Sequence, residues 1–167
     1  MDVIDYNGEG QWTRIAILTR YQRYAAGSGV DMFRDLSPLE HSEGDQHRIY
    51  PVMDKVIEGI EAGDAACIQL GIEFIEEDTK FPFGKILKSK TARALRHASL
   101  SDEQKQRIRR RVFGLLRAEH VPHEYREYAK LVRKIGFDLC EVPQVPTSNP
   151  YVARFRSYFE MAAQHPD

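Results

Sequence analysis

Residues 50–78, YPVMDKVIEGIEAGDAACIQLGIEFIEED, decide the fold of this chain. Apolar residues recur there at intervals of three and four, which is the period of one face of an α-helix. The pattern predicts two helices, over residues 50–62 and 65–77. Gly63 ends the first helix, because glycine readily adopts a left-handed backbone, and Asp64 is suited to cap the second. So short a junction predicts an antiparallel helical hairpin.

The rest of the chain is also predicted to be helical. The same periodicity predicts five further helices, which cover residues 12–26, 85–98, 102–119, 124–135 and 150 onward. For the run RIAIL, residues 14–18, an extended segment is the alternative. The helix at residue 102 begins at a capping box formed by Ser101 and Gln104. The sequence Ser37-Pro38-Leu39-Glu40 predicts one short helical turn. No convincing alternation of apolar and polar residues occurs, so the pattern predicts about seven helices and no strand.

Residues 50–78 resemble a HEAT-like unit, with a proline in the first helix, a tight Gly-Asp turn and a second helix rich in small residues. Residues 84–119 match in helix length but lack that turn sequence. The resemblance implies an all-α fold in which antiparallel helical hairpins stack as a short HEAT-like array or as a right-angled bundle. We predict a single domain over residues 1–167. It comprises an N-terminal helix and loop (1–45), a helical-hairpin core (46–136) and a linker with a C-terminal docking helix (137–167).

Composition indicates a globular protein of ordinary size. The chain has 167 residues, of which 42% are hydrophobic and 29% charged, enough for a sizeable core. The start, MDVIDYNGEGQW, lacks the basic and apolar regions of a secretory signal, and no apolar run approaches the ~18 residues that span a bilayer. Two cysteines, Cys67 and Cys140, are too few for a disulfide framework, and their apolar neighbours predict that both are buried. We therefore expect a cytoplasmic protein with no membrane contact.

Charge is distributed unevenly along the chain, although the net charge is only −1. Residues 1–79 hold 16 acidic and 6 basic side chains, whereas residues 80–136 hold 5 acidic and 16 basic ones. Such an asymmetry indicates a polyanionic partner. It is equally compatible with attraction between the two segments, either within one chain or between two copies.

The densest cationic segment is QRIRRRVFGLL, residues 106–116. On a helix that turns about 100° per residue, Ile108, Val112 and Leu115 converge on one side and most of the arginines lie on the other. The neighbouring predicted helices also direct lysine and arginine outward, so that three helices in succession present a basic back. The predicted basic binding surface comprises Lys88, Arg93, Arg96, Arg107, Arg110, Arg117, Lys130 and Arg133.

Three interpretations of this surface stay open. It is a solvated helix face without a ligand, a site for an acidic protein surface or a second copy of the chain, or a site for nucleic acid. The sequence has no zinc-finger spacing, no RNA-binding signature and no convincing helix-turn-helix, and its aromatic residues are not interleaved with the basic ones. We therefore expect a non-enzymatic binding or scaffold module that meets an acidic protein or itself. The alternative is sequence-independent nucleic-acid binding, and the HEAT-like resemblance also admits a DNA-repair-type factor.

The acidic residues and the histidines give weaker indications of a functional site than the basic residues do. Four acidic residues gather at the end of one predicted helix: Glu73, Glu76, Glu77 and Asp78. They form a solvated face or bind a hard cation, and because the helix dipole disfavours them there, we expect Lys80 or a basic helix to compensate them. His120 and His123 lie beside glutamates without the spacing of a metal site, and no nucleophile, phosphate-loop or dinucleotide motif occurs. No catalytic residue, cofactor or metal is predicted.

Overall fold

The computed structural model describes residues 2–29 and 32–165 of the chain. The chain divides into two compact units, Met1–Ala98 and Ser99–Asp167, which we call the first and the second unit. The described part holds seven α-helices and a small three-stranded sheet, so the predicted all-α fold is confirmed in its helices and not in its lack of strands. The HEAT-like stacking and the single domain stay predictions. None of the described helices is long and apolar enough to cross a bilayer.

The first unit contains four of the helices: α1 Arg14–Gly27, α2 Val52–Glu61, α3 Ala65–Glu76 and α4 Gly84–Leu95. Helices α2 and α3 form the predicted hairpin. Gly63 follows α2 with a φ of +80°, a conformation that costs glycine little strain. The Oδ1 atom of Asp64 accepts a hydrogen bond of 3.0 Å from the amide of Cys67, and so caps α3 as predicted.

Two glycines allow the helices of this unit to approach closely. A Cβ atom added to Gly59 of α2 would collide with the Sγ atom of Cys67 on α3. One added to Gly71 of α3 would lie 2.5 Å from the Cδ1 atom of Ile60. The core around these contacts consists of buried apolar side chains from α2 and α3: Val52, Met53, Val56, Ile60, Leu70, Ile72, Phe74 and Ile75. Small residues at the contact and large ones around it therefore hold the hairpin together.

Tyr21 attaches α1 to the turn of the hairpin. Its hydroxyl donates a hydrogen bond of 2.8 Å to Asp64 and accepts one of 2.8 Å from the amide of Arg34. Burial is the largest cause that raises the pKa of Tyr21 to about 12. Asp64 thus accepts hydrogen bonds both from the first turn of α3 and from a buried side chain of α1.

A three-stranded sheet, which the sequence pattern does not predict, belongs to the first unit. Its strands are β1 Asp2–Asp5, β2 Glu40–Glu43 and β3 Gln46–Ile49, with β3 in the middle, parallel to β1 and antiparallel to β2. The prediction of a helical turn at residues 37–40 is wrong, because residues 37–39 form no helix and β2 begins at Glu40. All four residues of β2 are exposed, so the strand lacks the alternation of apolar and polar residues by which strands are recognised.

The second unit contains α5 Asp102–Arg117, α6 Tyr125–Ile135 and α7 Pro150–Gln164. The predicted capping box is present at the start of α5. The amide of Gln104 donates to the hydroxyl of Ser101 at 3.2 Å, and the amide of Ser101 donates to the side chain of Gln104 at 3.0 Å. These reciprocal bonds satisfy two amides that the helix itself leaves unpaired.

Aromatic contacts hold α7 within the second unit. Phe159 is fully buried, and its ring centroid lies 5.0 Å from that of Phe113 on α5 and 5.4 Å from that of Phe137. One turn earlier, the ring of Phe155 lies 4.7 Å from that of Tyr125 on α6. The aromatic side of α7 therefore packs on both other helices of its unit.

Candidate functional site

The predicted basic surface is divided between the two units. The first unit holds three of its residues, Lys88 and Arg93 on α4 and Arg96 directly after it, and the second unit holds the other five on α5 and α6. The first unit has 16 acidic and 12 basic residues, and the second has 9 acidic and 12 basic ones. The first unit is therefore net acidic despite the cations of α4, and only the second unit carries an excess of positive charge.

Lys88 of α4 is not part of the solvent-exposed surface, and its outward placement is wrong. The residue is only 6% exposed, its ammonium group donates a hydrogen bond to the backbone carbonyl of Glu77, and it lies 5.5 Å from the ring centroid of Phe74. The aliphatic stem is buried while the charged end finds a carbonyl and an aromatic face. Arg93 of the same helix is exposed, and Arg96, which caps the end of the helix, is half-buried.

Helix α5 presents two exposed arginines on one face. Arg110 and Arg117 are seven residues apart, which is about two helical turns and ~10 Å along the axis. The side chain of neither makes a hydrogen bond or ion pair with another residue in the part of the chain that the structure describes. Arg109 differs, because it donates to Glu141 at 3.0 Å and to the carbonyl of Gly136 at 3.3 Å. Arg110 and Arg117 are thus the cations of α5 available to a ligand.

Helix α6 adds two cations that the predicted surface does not include. Arg126 and Lys134 are exposed and have no ion pair with any residue in 2–29 or 32–165. Of the residues predicted on this helix, Arg133 is exposed, whereas Lys130 is half-buried and lies 3.4 Å from Glu127. The outer positions of the helical wheel are the signal that identifies Arg126 and Lys134. Arg154 of α7 is likewise exposed and has no ion pair among the described residues. We call Arg110, Arg117, Arg126, Lys134 and Arg154 the unpaired cations of the second unit.

A cleft at the end of α6 places cationic and apolar side chains together. It has a volume of about 490 Å³, and Lys134, Phe137 and Leu139 are among the residues that line it. Leu139 is 51% exposed, which is a large fraction for leucine. We call this depression the α6 cleft. Its chemistry suits a partner segment that carries both a carboxylate and an apolar side chain.

One carboxylate of the acidic cluster at the end of α3, that of Glu73, is compensated from α1. Glu73 accepts hydrogen bonds of 2.6 Å from the guanidinium of Arg20 and 2.6 Å from the hydroxyl of Tyr24. Arg20 also lies over the ring of Trp12, 4.5 Å from its centroid. For Glu73 the compensating cation is therefore Arg20, which is 53 residues away in sequence, and not Lys80.

Glu77 joins the start of the chain to the end of α3. Its carboxylate accepts hydrogen bonds from the indole of Trp12 at 2.7 Å, from Gln11 at 2.9 Å and from the amide of Thr79 at 3.0 Å. These bonds, with the one from Trp12 as the largest cause, lower the pKa of Glu77 from 4.5 to about 2. The carboxylate is thus held in its charged form as a structural link.

We expect the stability of the first unit to decrease as the pH falls from 4.5 to about 2. The pKa of Glu77 is lower in the folded state, so its contribution is present above pH 4.5 and is lost as the pH falls through about 2. Urea denaturation followed by the fluorescence of Trp12, the one tryptophan of the chain, measures this. Glu77→Gln should flatten the pH dependence. The same change at the exposed Glu9 is the control, and an equal effect of both substitutions would contradict the assignment.

The described histidines and cysteines do not gather into a group that could hold a metal ion. No group of three or more His, Cys, Asp or Glu side chains able to hold a metal occurs within the described residues. His120 and His123 are both exposed. Cys67 is buried, and burial raises the pKa of its thiol. Cys140 is exposed, so its predicted burial is wrong; it lies in a short 3-10 turn, Leu139–Glu141, and not in a core helix.

Comparison with models of protein families, with curated proteins and with solved structures gives no match to this chain.

Proposed function

We propose that the protein is a non-enzymatic binding or scaffold module whose second unit binds an acidic protein surface, on a partner or on a second copy of the chain. The observation that carries this proposal is the set of unpaired cations of the second unit. Charges without a partner on a folded surface increase the rate and selectivity of association with an opposite surface. The HEAT-like stacking of the hairpins and a cytoplasmic location, expected from the low cysteine content, belong to the same proposal.

The surroundings of these cations favour an acidic protein over nucleic acid. The α6 cleft adds exposed apolar surface beside Lys134, which a protein segment can cover and a phosphate backbone cannot. Among the described aromatic residues of the second unit only Tyr151 is exposed, so the unit offers no row of rings on which successive bases could stack. Sequence-independent nucleic-acid binding is the alternative, supported by the two arginines on one face of α5.

The double substitution Arg110→Glu and Arg117→Glu should weaken binding to poly-L-glutamate by about tenfold or more, because two attractive charges become repulsive. The measurement is an affinity titration by fluorescence anisotropy over a salt series. Lys80→Glu with Lys85→Glu is the matched control, since it makes the same change in net charge at two exposed residues of the first unit. The control should bind within about twofold of the original chain.

Two outcomes would overturn the proposal. One is the absence of poly-L-glutamate binding at the lowest salt concentration together with a monomer at every concentration in sedimentation analysis. The other is equal weakening by both pairs of substitutions, which would indicate a general effect of net charge. Tighter binding to a duplex oligonucleotide than to poly-L-glutamate, with a steep dependence on salt, would assign the unpaired cations to nucleic acid.

A further inference from the structure

The exposed side of α5 contains a glycine that the packing of the chain does not explain. Gly114 lies in the second half of α5, four residues after Arg110 and three before Arg117. Glycine is unfavourable inside a helix, and Gly59 and Gly71 of the first unit are required because a Cβ atom at either would collide with the opposite helix. A Cβ atom added at Gly114 meets no atom within 4 Å. Gly114 therefore leaves a space at the surface that no described part of the chain fills.

Arg110, Gly114 and Arg117 lie on one side of α5. With about 100° between successive residues, the three positions fall within about 60° of one another around the helix axis. Both arginines are exposed and Gly114 is partly exposed. We call these three residues the α5 face. It presents a cation at each end, ~10 Å apart along the axis, and a shallow gap between them.

No carboxylate of α5 compensates the arginines of the α5 face. The acidic residues of this helix lie at its start, and the later of them, Glu103, precedes Arg110 by seven residues, or ~10 Å along the axis. Glu119, which follows α5, accepts a hydrogen bond from the hydroxyl of Thr147. The side chains of Arg110 and Arg117 make no hydrogen bond or ion pair with any other described residue. A ligand can therefore contact both arginines without breaking an existing bond.

The distance between the two arginines matches the repeat of a second helix. Seven residues of an α-helix also rise ~10 Å, so a helix that lies along α5 can place two carboxylates opposite Arg110 and Arg117. Between these carboxylates, the side chains of that helix project toward the gap at Gly114, as a ridge packs into a groove. An unordered acidic chain reaches the same arginines, but it loses its flexibility on binding and gains less from the gap.

We propose that the α5 face binds an acidic α-helix of a protein partner. Two carboxylates of the partner helix, seven residues apart, contact Arg110 and Arg117, and the side chains between them lie over Gly114. The contacts of the arginines are charge-assisted, and packing at the gap selects a helix over an unordered chain. This inference rests on the proposed function, since it specifies the conformation and the charge spacing of the acidic partner of the second unit.

Two stapled, alanine-rich helical peptides of identical composition test the charge spacing. The first carries two glutamates seven residues apart, and the second carries them five residues apart, which turns them away from each other by about 140°. In titrations of the full chain labelled with ¹⁵N, the first peptide should shift the amide resonances of α5 and bind about threefold to tenfold more tightly. Arg110→Gln with Arg117→Gln should remove this difference. Equal binding of the two peptides, or shifts confined to other helices, would overturn the proposal.

A side chain placed in the gap tests the role of Gly114. Gly114→Leu keeps both arginines, so it should weaken binding of the first peptide by about tenfold but change binding of the unordered poly-L-glutamate by no more than about twofold. Gly27→Leu is the matched control, because Gly27 ends α1 in the first unit and a Cβ atom there also meets no atom within 4 Å. Both variants should resist urea at least as well as the original chain, since leucine is the better helix former.

The outcomes separate this inference from the proposed function. If both leucine variants bind the first peptide equally well, the docking of a helix over Gly114 is contradicted. Binding of poly-L-glutamate without a preference between the two peptides overturns the helical partner alone. Absence of binding to poly-L-glutamate and to both peptides overturns the proposed function together with this inference.

Discussion

Replacement of Gly59 by alanine is expected to lower the free energy of unfolding of the first unit by about 1–3 kcal/mol. The new methyl group would collide with the Sγ atom of Cys67 and lie 2.9 Å from its Cβ atom. Both atoms belong to α3, close to its backbone, so the two helices must move apart to accommodate the methyl group. Urea denaturation followed by the fluorescence of Trp12 measures the loss, because Trp12 is buried in the first unit.

Helix propensity alone predicts the opposite sign for this substitution. Alanine is a better helix former than glycine by about 1 kcal/mol, so packing must outweigh that gain. Gly114 of α5 provides the matched control, because a Cβ atom added there meets no atom within 4 Å. Gly114→Ala should therefore stabilise the second unit by up to about 1 kcal/mol. The same exchange of residues thus has opposite effects at two helical positions.

A second substitution tests the proposed cause. In the background of Cys67→Ala, which removes the Sγ atom, Gly59→Ala should cost less by about 1 kcal/mol or more. The remaining cost reflects the contact with the Cβ atom of residue 67, which the alanine retains. If Gly59→Ala stabilised the first unit as Gly114→Ala is expected to stabilise the second, the close approach of α2 and α3 at this point would be contradicted.

The helical hairpin could be predicted because its signals are local. Apolar periodicity, the glycine at position 63 and the cap at Asp64 all lie within one stretch, and each acts over a few residues. The sheet could not be predicted in this way. Its middle strand β3 pairs in parallel with β1, more than 40 residues earlier in the chain, and β2 buries no side chain. Such a strand is stabilised by the strands that it pairs with, so its own sequence of apolar and polar residues does not identify it.

The sequence predicts that the candidate site is cationic, but it does not predict which of the cations are exposed and unpaired. The amphipathic pattern of α5 correctly separates the buried Val112 from the exposed Arg110. It does not show that Arg109 is bound by Glu141, 32 residues later, or that Lys88 turns inward to a carbonyl. Counting charge along the chain does not show which cations share a unit either. The boundary between the units falls at residue 98 and not where the composition changes.

Replacement of Phe159 by alanine should destabilise the second unit by about 3–5 kcal/mol. This loss is larger than the one expected for Gly59→Ala in the first unit. The side chain is fully buried, and its ring makes edge contacts with Phe113 and Phe137. Its removal would create a cavity between α5 and α7 and would abolish the aromatic contacts. Urea denaturation followed by circular dichroism measures the loss. Hydrogen exchange should show that the amides of α7 lose protection first, because Phe159 is the main buried anchor of that helix.

Met161→Ala is the matched control for this prediction. Met161 lies two residues later on the same helix and is 64% exposed, so its truncation creates no cavity. Its effect should stay within about 0.5 kcal/mol, and alanine preserves the helix propensity of α7. The two substitutions thus differ in burial and little else. If Phe159→Ala cost no more than Met161→Ala, α7 would not be held by its aromatic side, and the packing of the second unit around Phe113 would be contradicted.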